Sequence, residues 1–242
     1  MLADIALGSV IRANLAPEQR LATVSLNLQF TGAPLDGPVS GVGELSNFVT
    51  GADSRQGLCR CSLSTNGSPV LFGSGAFMVM QPPPGRTMHP VVDAIHEGTV
   101  PLKPEELEAH EPELLSRSER ALQAAGGERG FLRHFWGMLP VRTAEGAECR
   151  TPNGPHLGNR VGHMQGGLQV GMALVTAAAT LPATWQISGV SAWFLRPGEG
   201  DEIVATARVE HRGRNTAVVR TVLTGRNEQR FLEAVSTHLR RG

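Results

Sequence analysis

An internal repeat constrains the fold of this chain more than any other feature of its sequence. Residues 51–80 align without a gap with residues 211–240, and Arg60 falls on Arg220 inside similar runs of alternating residues. Alternation with a period of two predicts strands, so each segment predicts a β-hairpin. We therefore infer that the 242-residue chain contains two copies of one structural unit.

The segments upstream of the two hairpins follow the same order in both copies. Residues 22–34, ATVSLNLQFTGAP, and residues 185–198, WQISGVSAWFLRPG, are extended runs that each end in an aromatic residue and a Gly/Pro turn. Before these runs, residues 1–11 and 168–180 are apolar segments rich in small residues and compatible with helices. Each copy is therefore predicted to consist of a central helix followed by antiparallel strands.

The two copies differ in length, and this difference sets the predicted boundaries. We predict a first unit over residues 1–81, which begins inside its helix, and a complete second unit over residues 128–242. In the second unit, the segment FWGMLPVRTAEGAECRT predicts a strand, a turn and another strand ahead of the helix. Residues 82–127 are predicted to be a linker with an exposed helix that ends at the glycine pair beginning with Gly126.

The composition excludes several classes of function. The charges balance, with 22 basic and 22 acidic side chains, which argues against a broad surface for nucleic acid. The three cysteines, Cys59, Cys61 and Cys149, cannot form a complete set of internal disulfides, and this favours a reducing cytoplasm. No run reaches about 18 uninterrupted apolar residues, so we expect no membrane span.

A polar loop precedes the second central helix. The stretch GNRVGHMQGG, residues 158–167, ends in two glycines at the predicted helix start. Unpaired N–H groups at a helix N-terminus stabilise an anion, and Gly166 and Gly167 would let a substrate carbonyl approach the backbone closely. Asn159 and Gln165 add neutral amides to the same loop. An ordinary helix start, with Asn159 as a turn former, is the alternative interpretation.

This loop resembles the N-x-x-G-x-x-H-G-G motif of hotdog-fold acyl-CoA thioesterases of the phenylacetate-pathway type. Gln165 stands where those thioesterases have a histidine, and FLRPG at 194–198 with the strand after it is similar to the segment that follows their helix. The motif positions are matched by Asn159, Gly162, Gly166 and Gly167.

The resemblance implies an α+β fold of the tandem hotdog kind. We expect two antiparallel sheets, each wrapped around a central helix, which join as an intrachain pseudo-dimer. A tandem chain supplies the partner that a hotdog sheet edge requires. We also expect a homo-oligomer of such tandem chains.

The same resemblance implies that the acidic residue of the site comes from the first unit. In the hotdog thioesterases a carboxylate lies on the central helix, seven residues beyond the second glycine, where this chain has Leu174. The alignment instead places Asp4 at the acid position, and Thr23 where the family often has Ser or Thr.

Hotdog active sites lie between subunits, so the resemblance implies one composite site between the two units. Asp4 and Thr23 would face Asn159, Gln165 and Gly166. The reciprocal site would join Leu174 and Ile187 to a loop that the first copy lacks, and we expect it to be inactive.

The predicted reaction is hydrolysis of acyl-CoA thioesters by water. Asp4 would act as general base or as a nucleophile that forms a transient anhydride, and the sequence leaves both routes open. The N–H of Gly166, helped by Gln165, would bind the oxyanion. Asn159 would orient the water, while Thr23 would orient either Asp4 or that water.

Further residues are predicted to bind the substrate. The acyl chain would run along the central helices, beside Leu7, Met172 and Leu174. His211, Arg212 and Arg214 could contact the phosphates of coenzyme A, although an exposed hairpin turn explains them equally well. The remaining predicted binding residues are Gly167 and His163. For His163, a histidine that only forms part of the loop is the simpler interpretation.

Two other functions remain as alternatives. A non-catalytic module that binds or senses acyl-CoA is favoured by the departures at Gln165 and Leu174. A hotdog enoyl-CoA hydratase ranks last, because no D-x-x-x-x-H run precedes an apolar helix. We expect no cofactor, and no metal, since the histidines and cysteines lack a regular ligand spacing.

Overall fold

The computed structural model describes residues 1–81, 103–126, 130–159 and 162–241. Its helices are α1 (Leu2–Arg12), α2 (Glu111–Ala125), α3 (Phe131–Phe135) and α4 (Gly166–Ala179). Its strands are β1 (Arg20–Phe30), β2 (Val39–Thr50), β3 (Arg55–Thr65), β4 (Ser68–Met80), β5 (Val141–Thr143), β6 (Gly146–Pro152), β7 (Trp185–Phe194), β8 (Glu202–Arg212), β9 (Thr216–Thr224) and β10 (Arg230–Arg240).

The strands form one antiparallel sheet in the order β2-β3-β4-β1-β7-β10-β9-β8-β6-β5. The connectivity repeats: the strand after α1 pairs with the last strand of its half, and the strand after α4 does the same. From there the order β1-β4-β3-β2 corresponds to β7-β10-β9-β8. The sequence predicted two sheets that join, and the structure has a single continuous sheet of ten strands.

The two halves of the sheet meet at β1 and β7. These strands pair antiparallel over five residue pairs, with Asn27 opposite Ser191 at the centre. The pairing provides hydrogen-bond partners for backbone N–H and C=O groups of β1 and β7. Without it, these two strands would be exposed edges of two separate sheets.

Each half of the sheet carries one helix on its face. In α1 the residues Ala3, Leu7 and Ile11 are buried, at the spacing of four that places side chains on one face of a helix. Glycines in the strands below allow the helix to come close, since a Cβ on Gly43 would lie 2.6 Å from the carbonyl oxygen of Ala6. Helix α4 is buried along most of its length, as its small and apolar composition predicted.

The segment between the units differs in part from its prediction. Helix α2 ends at Gly126 in the left-handed conformation with φ of 60°, as the sequence predicted. The helix is not simply exposed, because Ala121 is buried and α2 packs on α3. The predicted linker residues 82–102 lie outside the described residues.

The segment FWGMLPVRTAEGAECRT contains the predicted strand, turn and second strand, as β5 and β6, but its first residues are not part of the leading strand. Phe135 closes the short helix α3, and the leading strand is only Val141–Thr143. Among the helices of the described residues, none has the length and apolar character needed to cross a membrane.

Candidate active site

The carboxylate of Asp4, on α1, lies against the N-terminus of α4. Its Oδ2 accepts hydrogen bonds from Gln165 Nε2 at 2.8 Å and from the backbone N–H of Gly167 at 3.0 Å. Its Oδ1 accepts one from the hydroxyl of Thr23, on β1, at 3.2 Å. The structure therefore brings together residues that are more than 140 positions apart, since Gln165 follows Thr23 by 142 residues.

Gln165 uses both ends of its side chain. It is the N-cap residue of α4, with an extended backbone at φ −63° and ψ 135°, and its Oε1 accepts from the N–H of Leu168 at 2.9 Å. Its Nε2 donates to Asp4. Gln165 therefore links the start of α4 to the carboxylate, and the second N–H of its amide is not used in these two hydrogen bonds.

Gly166 lies close to Asp4 and Thr23, where a larger residue would be crowded. A Cβ on Gly166 would lie 3.1 Å from Thr23 Oγ1, 3.3 Å from Phe194 Cε1 and 3.4 Å from Asp4 Oδ2. Within the described part of the chain, the N–H of Gly166 donates to no protein acceptor. This group is at the positive end of α4, where an anion is stabilised.

Burial makes the Asp4 carboxylate a weaker acid than usual. Asp4 is only 8% exposed, and desolvation raises its pKa above the ordinary value of 3.8. The hydrogen bonds from Thr23, Gly167 and Gln165 act in the opposite direction, because they favour the charged form.

Thr23 occupies an irregular position in the sheet. The register between β1 and β4 shifts between Thr23 and Ser25. Such bulges redirect side chains and are common beside functional sites. The hydroxyl of Thr23 is thereby aimed at the carboxylate of Asp4, on the helix above the strand.

A cavity of about 450 Å³ opens on this group. Thr23 and Gly166 line it, whereas Asp4 lies behind them. Apolar side chains from both units form much of the wall, namely Leu21, Val24, Met78, Met80, Met164, Phe194 and Leu195.

Two predicted loop residues line the cavity but mainly shape the loop. The Oδ1 of Asn159 accepts from the N–H of His163 at 3.1 Å, and the backbone N–H of Asn159 donates to the carbonyl of His163 at 2.7 Å. The imidazole Nε2 of His163 lies 3.6 Å from Glu199 Oε1.

The predicted acyl-binding residues of α4 and α1 lie outside the cavity wall. Met172 and Leu7 are fully buried in the core. Leu174 is half-buried and packs against the same core. The apolar wall of the cavity is therefore formed by other residues.

The structure separates His211, Arg212 and Arg214 from this site. Arg212 lies over the ring of Trp185, 5.7 Å from its centroid, at the start of β7. The cavity is at the other end of the same strand, at Phe194, about 30 Å away at the rise of a β-strand. The predicted phosphate contact by this turn was wrong for this cavity.

Several residues of the cavity wall were missed by sequence analysis. Gln169, one turn beyond Gly166, is 4% exposed, and its Oε1 is buried without a hydrogen-bond partner while its Nε2 donates to Met164 O. The other missed polar residues are Arg12, Arg20 and Arg196. They are scattered singly in the sequence, so no local motif could have indicated them.

A family model describes the second half of the chain. Residues 156–239 match the model of the acyl-CoA thioesterase N-terminal domain. The match runs from the loop before α4 into β10, so this part of the chain is similar to an acyl-CoA thioesterase domain. No curated protein matches the chain significantly in sequence.

Solved thioesterase structures share the fold at low sequence identity. Acyl-CoA thioesterase II from Mycobacterium marinum is 14% identical over 99% of this chain and 87% of its own, with a TM-score of 0.51. The 12:0-ACP thioesterase from Umbellularia californica is 10% identical over 93% of this chain and 75% of its own, with a TM-score of 0.57. A Bacillus halodurans protein solved with CoA is 19% identical over 56% of this chain and 96% of its own, with a TM-score of 0.50. The chain thus has the α+β fold, with a large antiparallel sheet, of the hotdog thioesterases.

Proposed function

We propose that this chain hydrolyses acyl-CoA thioesters at one composite site between its two units. The observation that carries the proposal is the buried carboxylate of Asp4, held by Gln165 and Gly167 of the second unit and by Thr23 of the first. Carboxylates are rarely buried without a functional or structural reason, because burial of a charge is costly.

The proposed architecture is a tandem hotdog, with units at 1–81 and 128–242 that pack as an intrachain pseudo-dimer. The repeated strand connectivity and the antiparallel β1–β7 junction support this interpretation. Equivalent strands also carry equivalent ion pairs, since Arg60 contacts Glu44 of β2 and Arg220 contacts Glu210 of β8.

Asp4 acts as the general base in the proposed mechanism. Its two oxygens differ, because Oδ2 has two donors and Oδ1 has one, so Oδ1 retains the capacity to accept a proton from water. Thr23 and Gly166, rather than Asp4, line the cavity. A water in the space beside Gly166 would bridge this gap, which favours attack by water over direct attack by the carboxylate.

The backbone N–H of Gly166 stabilises the oxyanion that forms when water attacks the thioester. It is at the N-terminus of α4, and a dipole aimed at developing charge is the largest contribution in many such sites. Gln165 is a positioning residue that fixes both the helix start and the carboxylate. The acyl group packs against the apolar wall contributed by Val24, Met78 and Phe194.

Release of free thiol from a panel of acyl-CoA thioesters tests the proposal. Asp4→Asn keeps the shape of the side chain and removes its charge, so turnover should fall by at least ~10²-fold, as for loss of a positioned base. Asp53→Asn makes the same change at an exposed site of the first unit and should leave turnover unchanged. Wild-type protein that binds acyl-CoA and leaves it intact on prolonged incubation would support a non-catalytic binding module instead.

A further inference from the structure

Gln169 is a buried polar residue of the cavity wall that the proposed hydrolysis does not use. It lies on α4 three residues beyond Gly166, lines the cavity and is 4% exposed. Its Nε2 donates to the carbonyl of Met164 at 2.8 Å. Within the described part of the chain, its Oε1 is buried and accepts no hydrogen bond. The side chain therefore keeps one buried acceptor for a group that enters the cavity.

Packing alone does not explain a glutamine at this position. A buried polar atom without a hydrogen-bond partner destabilises a protein, and most buried polar atoms have one. The bond to Met164 accounts for Nε2 of Gln169 but leaves Oε1 unexplained. A methionine would fill a similar volume without this cost. The acceptor is therefore better explained by a ligand that carries a hydrogen-bond donor.

The cavity has a buried side and an exposed side. Among the described residues that line it, only Met164 and Gln169 are buried, whereas Met80, Leu195 and Arg196 are exposed. The carrier end of an acyl-CoA is large and bears phosphates, which are costly to remove from water. The exposed side is therefore suited to the carrier, and the buried side at Gln169 is suited to the acyl group.

The position of Gln169 determines which part of an acyl group it would contact. Three residues along a helix span about 4.5 Å of its axis, so Gln169 is one turn away from Gly166. Helical side chains point towards the N-terminus of the helix, and the bond from Nε2 to the carbonyl of Met164 has this direction. If the N–H of Gly166 binds the thioester oxygen, the first carbons of the acyl chain lie beside Gln169.

We propose that Gln169 is a specificity-determining residue whose Oε1 accepts a hydrogen bond from a hydroxyl on the second or third carbon of the acyl chain. A hydroxyl is a neutral donor of the required kind. An ammonium group is disfavoured, because arginines line the cavity and none of its described lining residues is Asp or Glu. This inference rests on the proposed function, because it assumes that the thioester reacts beside Gly166.

Hexanoyl-CoA and its 2-, 3- and 6-hydroxy derivatives test the assignment. Wild-type protein should hydrolyse the 2-hydroxy or the 3-hydroxy substrate with a kcat/KM roughly tenfold above that for hexanoyl-CoA, as expected for one hydrogen bond to a buried acceptor. The 6-hydroxy substrate carries its hydroxyl at the far end of the chain and should show no such preference.

Gln169→Met should abolish the preference, because methionine keeps the length of the side chain and removes both polar atoms. Loss of the bond to Met164 would lower kcat/KM for all four substrates by the same factor, so the ratio between substrates reports the acceptor alone. Gln169→Leu removes the same atoms with a differently shaped side chain and should give the same ratio. Gln123→Met is the control at an exposed site of α2 and should leave the preference intact.

Three results would overturn the proposal. The first is a wild-type protein that does not distinguish the hydroxyacyl substrates from hexanoyl-CoA. The second is a preference that survives in Gln169→Met and Gln169→Leu. The third is an equal preference for the 6-hydroxy substrate, because a hydroxyl at that distance would be recognised by another part of the cavity.

The amide N–H of the carrier nearest the sulfur is another donor, and a matched pair of thioesters separates it from the acyl hydroxyl. Hexanoyl thioesters of N-acetylcysteamine and of 2-mercaptoethyl acetate differ only in that the second has an ester oxygen in place of this N–H. If wild-type protein prefers the first roughly tenfold and Gln169→Met does not, the carrier supplies the donor and the assignment to the acyl group is wrong.

A binding measurement keeps this inference separate from the proposed hydrolysis. If wild-type protein hydrolyses none of the thioesters, calorimetric titration with hexanoyl-CoA and its 2- and 3-hydroxy derivatives still tests the acceptor. Tighter binding of a hydroxyacyl-CoA that is lost in Gln169→Met supports the proposal. Equal binding of all three by the wild-type protein contradicts it.

Discussion

Asp4 has an environment that is difficult to explain by stability alone. The side chain is on the buried face of α1, beside Ala3 and Leu7, where an apolar residue would pack without loss of hydration. Instead, both carboxylate oxygens receive hydrogen bonds, and three residues, on β1 and at the start of α4, contribute the donors. This arrangement keeps a carboxylate in a fixed orientation just behind the cavity wall, as the proposed general base requires.

The raised pKa of Asp4 predicts the pH dependence of the reaction. A general base works only when deprotonated, so kcat should be full above the pKa of Asp4 and should fall as pH drops through it. Because burial raises this pKa, the decline should begin above the ordinary value of 3.8. The decline is measured as the dependence of kcat on pH with one acyl-CoA as substrate.

Gln165→Glu should shift the acid-side fall of kcat to higher pH. It places a second carboxyl group beside Asp4, and two neighbouring carboxylates raise the pKa at which the pair loses its proton. Glu145→Gln, at an exposed site, is a control that should leave the profile in place. A wild-type profile that is flat through the acid range would exclude Asp4 as the base.

The polar group around Asp4 could be predicted from sequence, but the arginines of the cavity wall could not. Asp4, Thr23 and Gln165 occupy positions that the family spacing singles out, and the structure places them within hydrogen-bonding distance. Arg12 and Arg196 lie near the same cavity only because α1 and the end of β7 meet there. A local cluster of charge, as in the 211–214 turn, says nothing about which end of the sheet it will occupy.

At the scale of elements, the start of α4 is the part of the fold that makes the site. Gln165 caps the helix, Gly166 allows the helix start to lie close to Thr23 and Asp4, and Gly167 donates its N–H to the carboxylate. These three consecutive residues therefore contribute to the site in three different ways. Side chains larger than hydrogen at position 166 would fill the space that the proposed water occupies.

Gly166→Ala should reduce turnover strongly while the protein remains folded. The new Cβ would lie 3.1 Å from Thr23 Oγ1, and alanine favours a helix more than glycine does. We expect a loss of at least about tenfold in kcat, the size of one disturbed hydrogen bond. Steady-state kinetics and thermal unfolding together measure the two effects.

Gly171→Ala is the control for this prediction. It makes the same change in the same helix, but a Cβ there has no neighbour within 4 Å. It should stabilise the protein by about 0.5–1 kcal/mol and leave kcat unchanged. Equal effects of the two substitutions on kcat would show that the space at Gly166 is not used.

Most elements could be predicted from periodicity, and the exceptions have physical reasons. The alternating residues of 51–80 and 211–240 form the hairpins β3–β4 and β9–β10, because one face of each strand packs below a helix. The segment FWGMLPVRTAEGAECRT forms the predicted pair of strands, but it begins at the end of helix α3, because aromatic residues suit strands and short helices alike. Its helical start is stabilised by packing of α3 against α2, a contact that the sequence pattern does not show.

At the scale of the whole molecule, the site depends on how the two units pack. The β1–β7 junction fixes the halves of the sheet relative to each other, and α1 contacts α4 directly above it. The reciprocal position on α4 is occupied by Leu174, which has no acid or base function. On the proposed mechanism, only one of the two positions can therefore be reactive, although the strand order repeats.

This asymmetry predicts one functional site per chain. Calorimetric titration of Asp4→Asn, which should bind acyl-CoA without turning it over, should give one site per chain. Leu174→Ala should leave kcat for acyl-CoA unchanged, because this residue packs in the core and takes no part in the chemistry. Two equivalent sites per chain in the titration would mean that the reciprocal position also binds substrate, contrary to the composite-site account.

A double-mutant cycle between Asp4 and Gln165 tests the central claim most directly, because these residues belong to different units and share one hydrogen bond. The kcat for one acyl-CoA is measured for wild type, Asp4→Asn, Gln165→Ala and the double variant. The account predicts that Gln165→Ala lowers kcat in the wild-type background and has little further effect once Asp4 is Asn, since residues that act as a unit are not additive. Losses that multiply independently in the double variant would contradict a site built from both units.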